Sequence, residues 1–201
     1  LMVHNQPVVN KGIVVIHNGI VCNYKSIWQD VLNQEPPSEL DSEVIPAYLA
    51  HSLQTQSLEK ALASLYQTIE GDASIACLFQ DRNILALKTN TGSLYYAEEK
   101  DKAFVFASQL AFLKKISQKY LANQPIHQLK PHKIKLIEFD QKKKSTLIDL
   151  NATHTREDIL KRCSKCILPE SFPGIKFDKE GVCNICHDYI PFHPYGRDEL
   201  A

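Results

Sequence analysis
The sequence predicts an α+β domain over about residues 1–140, arranged as αββα layers, then a linker over 141–160 and a small cysteine-held unit over 161–190. Three observations predict it. Residues 24–69 carry apolar side chains at helical spacing. Residues 73–107 break into short apolar runs divided by turn residues. Four of the six cysteines crowd into residues 163–186.

In chain order, residues 13–17 read as a buried β-branched strand that enters a tight turn at His17-Asn18-Gly19. Residues 24–33 read as a helix with Ile27, Trp28 and Val31 on one side, stopped by Pro36-Pro37. Asp41 reads as an N-cap, with Glu43 in the first turn and Val44, Ile45, Tyr48 and Leu49 facing inward. A further helix over about 57–69 places Leu58, Ala61, Leu62 and Leu65 on one face, with Gly71 past its end. The runs 73–80, 84–88, 93–97 and 103–107 read as one antiparallel meander, 108–116 as a brief helix and 133–139 as a last strand. Trp28, Tyr95, Tyr96 and Tyr120 read as packing residues, and 142–144 as a solvated loop.

Composition narrows the function. Twenty-three Lys and Arg balance 23 Asp and Glu, so the chain has no polyelectrolyte character and a nucleic-acid-binding or membrane-surface role is disfavoured. No run of about 18 apolar residues occurs, so no spanning helix is expected. The chain begins at Leu1 without a basic and apolar leader, so a cytoplasmic protein is expected, and a Leu start suggests a piece of a longer frame.

Cys163-Ser-Lys-Cys166 and Cys183-Asn-Ile-Cys186 form two CxxC pairs separated by 16 residues. Each pair can point two thiolates at one centre, and two pairs complete a tetrahedral shell with Zn–S of about 2.3 Å. With all four positions filled by cysteine, no site is left for a reacting water, so the zinc is expected to be structural. An iron–sulfur cluster, redox dithiols and unliganded thiols are the alternatives. His187 and His193 flank the quartet and read as surface histidines.

Asn18-Gly19, after a buried strand, can aim a side-chain amide and a backbone N–H at one point. An oxyanion hole needs such a pair, and losing one donor costs about 3–4 kcal/mol of transition-state stabilisation. An ordinary Asn-Gly hairpin turn is the plainer alternative. His17 reads as a structural strand-end residue that could line a pocket.

The succession His-Asn-Gln-Pro-Val (4–8), Ile-Val-Val-Ile-His-Asn-Gly-Ile-Val-Cys-Asn-Tyr (13–24) and Leu-Asp-Ser-Glu-Val-Ile (40–45) resembles the class II glutamine amidotransferase domain. That N-terminal-nucleophile (Ntn) glutaminase belongs to asparagine synthetases and glucosamine-6-phosphate synthases. Gly-Asp-Ala-Ser-Ile-Ala (71–76) and Phe-Ala-Ser-Gln-Leu-Ala-Phe-Leu (106–113) extend the likeness to about residue 139. The resemblance implies that the Asn18 side chain and the Gly19 N–H form the oxyanion hole and that Asp41 holds the α-ammonium of L-glutamine. Glu43 would support or cap. The family's nucleophile is an N-terminal cysteine whose own α-amine acts as base. Residue 1 here is Leu, so the nucleophile and the carboxylate-clamping arginine are expected outside the chain, which alone is expected to be inactive. Cys22 and Cys77 read as internal, buried thiols and poor substitutes.

Residues 162–189 are similar to the zinc-binding leader of N-acetyl sugar amidotransferases of surface-polysaccharide biosynthesis, with Leu-Pro-x-Ser-Phe-Pro-Gly-Ile and Gly-Val-Cys-Asn intact. There the leader precedes an ATP-pyrophosphatase domain, so 191–201 would be the start of that domain and ATP-Mg would belong to it. Joined, the two resemblances imply a partial, N-terminally incomplete glutaminase plus a zinc ribbon, passing ammonia to an acceptor bound by a synthetase domain. The expected acceptor is an N-acetyl sugar. An asparagine-forming enzyme acting on aspartate and a non-catalytic zinc-ribbon binding protein are the alternatives, and a homodimer is compatible with either.

Overall fold
The structure, a computed structural model, describes residues 5–99, 102–121, 123–139, 144–150, 161–166, 168–170 and 172–190. It divides into two units, Leu1–Glu157 and Asp158–Ala201.

In the first unit, strands β1 (Val8–Asn10), β2 (Ile13–Val21), β3 (Gly71–Phe79), β4 (Ile84–Thr89), β8 (Lys133–Glu138) and β9 (Lys144–Asp149) form an antiparallel sheet in the order β1-β2-β3-β4-β8-β9. A second sheet takes β5 (Tyr95–Glu99), β6 (Ala103–Ala107) and β7 (His127–Gln128) in the order β6-β5-β7. The expected meander is therefore split. β3 and β4 pair in one sheet, and β5 and β6 in the other, because β4 spends its second edge on β8.

Alternation along each strand then builds the layers. Ala73, Ile75, Cys77 and Phe79 of β3 pack with Ala86, Ile134 and Leu136 against α2 (Val44–Ser52) and α3 (Leu58–Thr68). Their opposite-face neighbours Ala76, Leu87 and Ile137 meet Leu94 and Tyr96 between the sheets. The outer face of the second sheet packs Ala97 against Leu113 of α4 (Leu110–Tyr120) and Leu121. Helix, sheet, sheet and helix are thus stacked, as the sequence predicts.

The helices follow their apolar spacing. Val44, Ile45, Tyr48 and Leu49 are buried in α2, and Leu58, Ala61, Leu62 and Leu65 in α3, where Ser57 caps the Lys60 N–H at 3.4 Å. The expected helix over 24–33 is a short α1 (Tyr24–Ser26) that widens into a π-turn (Ile27–Val31), burying Ile27 and Trp28. Two expectations are corrected here. First, Asp41 is not a helix N-cap: it opens a 3₁₀ turn (Asp41–Glu43) and its carboxylate serves another strand. Second, 133–139 is not the last strand. Lys144–Asp149, inside the expected linker and including Lys144 of the expected loop, pairs along β8 as β9. Residues 141–143 and 151–160 of the expected linker lie outside the described residues.

In the second unit, the bridge Arg162–Pro169 encloses the first CxxC pair, the bridge Phe177–Cys183 leads into the second, and α5 (Asn184–Asp188) follows Cys183. His193 and residues 191–201 lie outside the described residues. Among the described residues no helix is long and apolar enough to cross a membrane.

Candidate functional site
The Asn18-Gly19 pair is not a turn. β2 runs straight through it, with Asn18 opposite Ser74 and Gly19 opposite Ala73. Gly19 has φ +144°, and a Cβ there would lie 1.9 Å from the Asp72 carbonyl oxygen. Glycine is required because the neighbouring strand approaches too closely for any side chain.

This close approach sits on an edge that β1 leaves open beyond Val15. Ala73 bonds Asn90 through both its N–H (2.8 Å) and its carbonyl (3.1 Å), turning its main chain towards β4 and away from Gly19. By the alternation of an antiparallel ladder, Gly19 directs its N–H to the open edge of β2, alongside His17 and Val21. The groups flanking it are occupied. The Gln6 amide accepts from the His17 N–H and donates to the His17 carbonyl, both at 2.6 Å. The Val21 N–H donates to Asp41 Oδ2 at 2.7 Å. Gly19 thus lies between a neutral amide clamp and a carboxylate, with Asp41 two strand positions away.

Asn18 points to the other side of β2. It lines a cleft of about 280 Å³ with Gln6, Ser74, Leu94, Phe106 and Ser108. Gln6 both lines that cleft and bonds the strand edge, so the cleft reaches the edge at which Gly19 aims its N–H. The structure therefore gathers Asn18, Gly19 and Asp41 within one stretch of β2 and the turn packed on it. Asp41 and Gly19 are not part of the cleft wall.

His17, expected as a structural residue that could line a pocket, also lines that cleft, whereas nothing in the sequence pointed to its partner Ser42. His17 is buried; its Nδ1 hydrogen-bonds Ser42 Oγ at 2.9 Å, and Ser42 Oγ lies 3.3 Å from Asp41 Oδ1. Burial pushes His17 below the ordinary histidine range, against the opposing pull of the Asp41 charge. Glu43 accepts from the Ser38 hydroxyl at 2.7 Å and so braces the loop ahead of the turn. Gln6 sits in the His-Asn-Gln-Pro-Val stretch, which was the only available signal for it.

Cys77 is buried as expected, but Cys22 is exposed. Partial desolvation, then the charges of Glu70, Asp41 and Asp72, hold the Cys22 thiol above the ordinary cysteine range, and burial does the same to Cys77. Neither is disposed to be a thiolate nucleophile.

Cys163, Cys166, Cys183 and Cys186 converge, with all four sulfurs within 4.8 Å of one another. Cys163–Cys186 and Cys166–Cys183 are 3.8 and 3.6 Å apart, against about 3.8 Å for the edge of a tetrahedral shell at the usual Zn–S length. The N–H groups of Lys165, Cys166 and Cys183 point at Cys163 Sγ (3.3–3.5 Å), as donors to a ligating thiolate do. The quartet can hold a metal ion such as zinc. His187 bonds Asp178 at 2.7 Å and stands outside the quartet.

No curated protein matches the chain. Among solved structures, the glutamine phosphoribosylpyrophosphate amidotransferase of B. subtilis, complexed with ADP and GMP, superposes with TM-score 0.54 at 17% identity, over 80% of this chain and 34% of that one. An allosteric regulatory enzyme of purine biosynthesis gives 0.51 at 18%, over 70% of this chain and 30% of that one. The chain thus spans about a third of the length of these enzymes, and the likeness is one of fold, mixed α/β with antiparallel sheets. A family model described as a glutamine amidotransferase domain matches residues 2–115, from the Gln6 clamp into α4. That match covers more than half of the chain, which therefore belongs to the glutamine amidotransferase domain family.

Proposed function
We propose that the first unit binds L-glutamine at the open edge of β2 and supplies the oxyanion-hole half of a class II glutaminase. The observation that carries this reading is the edge itself: Gln6 and Asp41 occupy the His17 and Val21 N–H groups and leave that of Gly19 between them, next to Asn18. When a thiolate attacks the glutamine side-chain amide, its carbonyl oxygen becomes an anion. The Asn18 amide and the Gly19 N–H stabilise that anion, each by about 3–4 kcal/mol. Asp41 pairs with the α-ammonium and fixes the substrate along the strand edge. Because Cys22 and Cys77 are held as thiols, the nucleophile is assigned to a cysteine outside these 201 residues.

The four cysteines hold a structural zinc, which supplies folding energy to the second unit and takes no part in the chemistry. A synthetase domain that uses ATP-Mg consumes the ammonia. The resemblance of 162–189 to a zinc-binding leader favours an N-acetyl sugar acceptor in surface-polysaccharide synthesis over aspartate.

The test is a titration of the 201-residue chain with L-glutamine, and with the analogue lacking the α-amine, followed by the amide resonances of Gly19 and Val21. L-glutamine is expected to shift both, the analogue to bind more weakly, and Asp41→Asn to weaken L-glutamine about tenfold, the loss of a charge-assisted bond. No ammonia is released. Equal binding of the two ligands, or ammonia production by this chain, overturns the reading.

A further inference from the structure
The Ser42 hydroxyl has two claimants. Its oxygen lies 2.9 Å from His17 Nδ1 and 3.3 Å from Asp41 Oδ1, and a hydroxyl carries one proton. If that proton goes to Asp41, then His17 must carry a hydrogen on Nδ1 and donate it to Ser42. If it goes to Nδ1, the neutral ring carries its hydrogen on Nε2, which faces the Asp72 carbonyl at 3.5 Å, and Asp41 Oδ1 loses its internal donor. Asp41 Oδ2 keeps the Val21 N–H either way.

We propose that Ser42 and His17 are positioning residues that set whether Asp41 Oδ1 is open to the α-ammonium of glutamine, with protonation of His17 closing it. This rests on the glutamine-binding reading of Asp41. With the ring neutral and Nε2-protonated, Ser42 turns to His17 and Oδ1 is open. With the ring an imidazolium, both nitrogens donate, Ser42 is fixed on Asp41, and a second positive charge stands near the ammonium.

The groups facing the ring are few. Asp41 and Ser42 come from the 3₁₀ turn, Asp72 from β3 through its main-chain carbonyl, and Gln6 holds its backbone. Asp41 is the charge that favours the imidazolium, and burial opposes it. Near neutral pH the ring is therefore neutral, and its Nε2-protonated tautomer is the one that opens the site. Glutamine and a proton compete, so affinity rises with pH through the ring's titration and levels off above it.

The experiment is glutamine titration of the intact 201-residue chain at about pH 7.5 and about pH 5, with imidazole ¹⁵N shifts reporting the His17 tautomer. Affinity is expected to be lower at the lower pH and to keep falling as the ring protonates. His17→Asn can still bond Ser42 but cannot titrate, and should flatten the profile. Ser42→Ala should leave the ring titrating but shrink the dependence and change the tautomer. Dispersed amide spectra of both variants establish folding. A flat wild-type profile, or an unchanged slope in His17→Asn while Asp41→Asn still weakens binding, overturns this inference and leaves the glutamine reading standing. Wild-type affinity in Asp41→Asn, or no binding by the wild type, overturns both.

Discussion

Gly19→Ala is expected to destabilise the first unit by about 3–5 kcal/mol, combining backbone strain at positive φ with forced overpacking. The new methyl would sit 1.9 Å from the Asp72 carbonyl oxygen and 3.0 Å from His17 Nε2, at φ +144°. The first obstacle is main chain held in a ladder, which cannot rotate aside. Because unfolding free energies are about 5–15 kcal/mol, such a loss takes a large share of the total. A fall in melting temperature of roughly 6–20 °C would be measured for a chain of this size. Gly12→Ala is the control: φ is +77° but its nearest obstacle is a Gln80 side-chain oxygen at 3.6 Å, so only the conformational cost of about 1 kcal/mol remains. Equal melting of the two variants would show that β3 does not crowd β2 at this point.

Cys163→Ser is expected to unfold residues 161–190 outright. Structural zinc sites in small peptides contribute about 10–16 kcal/mol, and a segment below about 40 residues has too little core to fold without such help. Among its described residues, only Cys163 and Cys183 are buried. Cys163 is the informative choice because three backbone N–H groups converge on its sulfur, and a serine oxygen is a harder and poorer ligand. Elemental analysis should find one zinc per chain in the wild type and none in the variant, with collapse of amide dispersion over 161–190. A chelator should do the same. Retained dispersion in a metal-free protein would remove zinc from the account of this unit.

Much of this architecture was legible because its signals are local. The 3.6-residue spacing of Leu58, Ala61, Leu62 and Leu65 places α3, and alternation of Ile134 and Leu136 places β8. The misreadings have a common cause in long-range pairing. Asn-Gly is the strongest short turn signal, yet here the glycine answers to Asp72, 53 residues away, and the strand continues. Asp41 has the sequence position of a cap, but the Val21 N–H, 20 residues earlier, takes its carboxylate. The segment at 144–149 reads as solvated because an edge strand needs little apolar surface, and only Thr146 and Ile148 are half-buried. At the proposed site, Asn18, Gly19 and Asp41 were singled out by the family resemblance. The His17–Ser42 bond joins residues 25 apart and carries no motif of its own.

The outermost position of β9 bears on how this protein can be handled. Its Lys144, Ser145 and Asp149 face water, and it shields β8, whose central residues 134–137 are buried. Trimming the polypeptide at residue 140, where the amino-acid pattern alone would invite the cut, would strip that guard and leave a bare apolar rim able to recruit other chains. Preparations intended to stay monodisperse should therefore retain everything through Leu150.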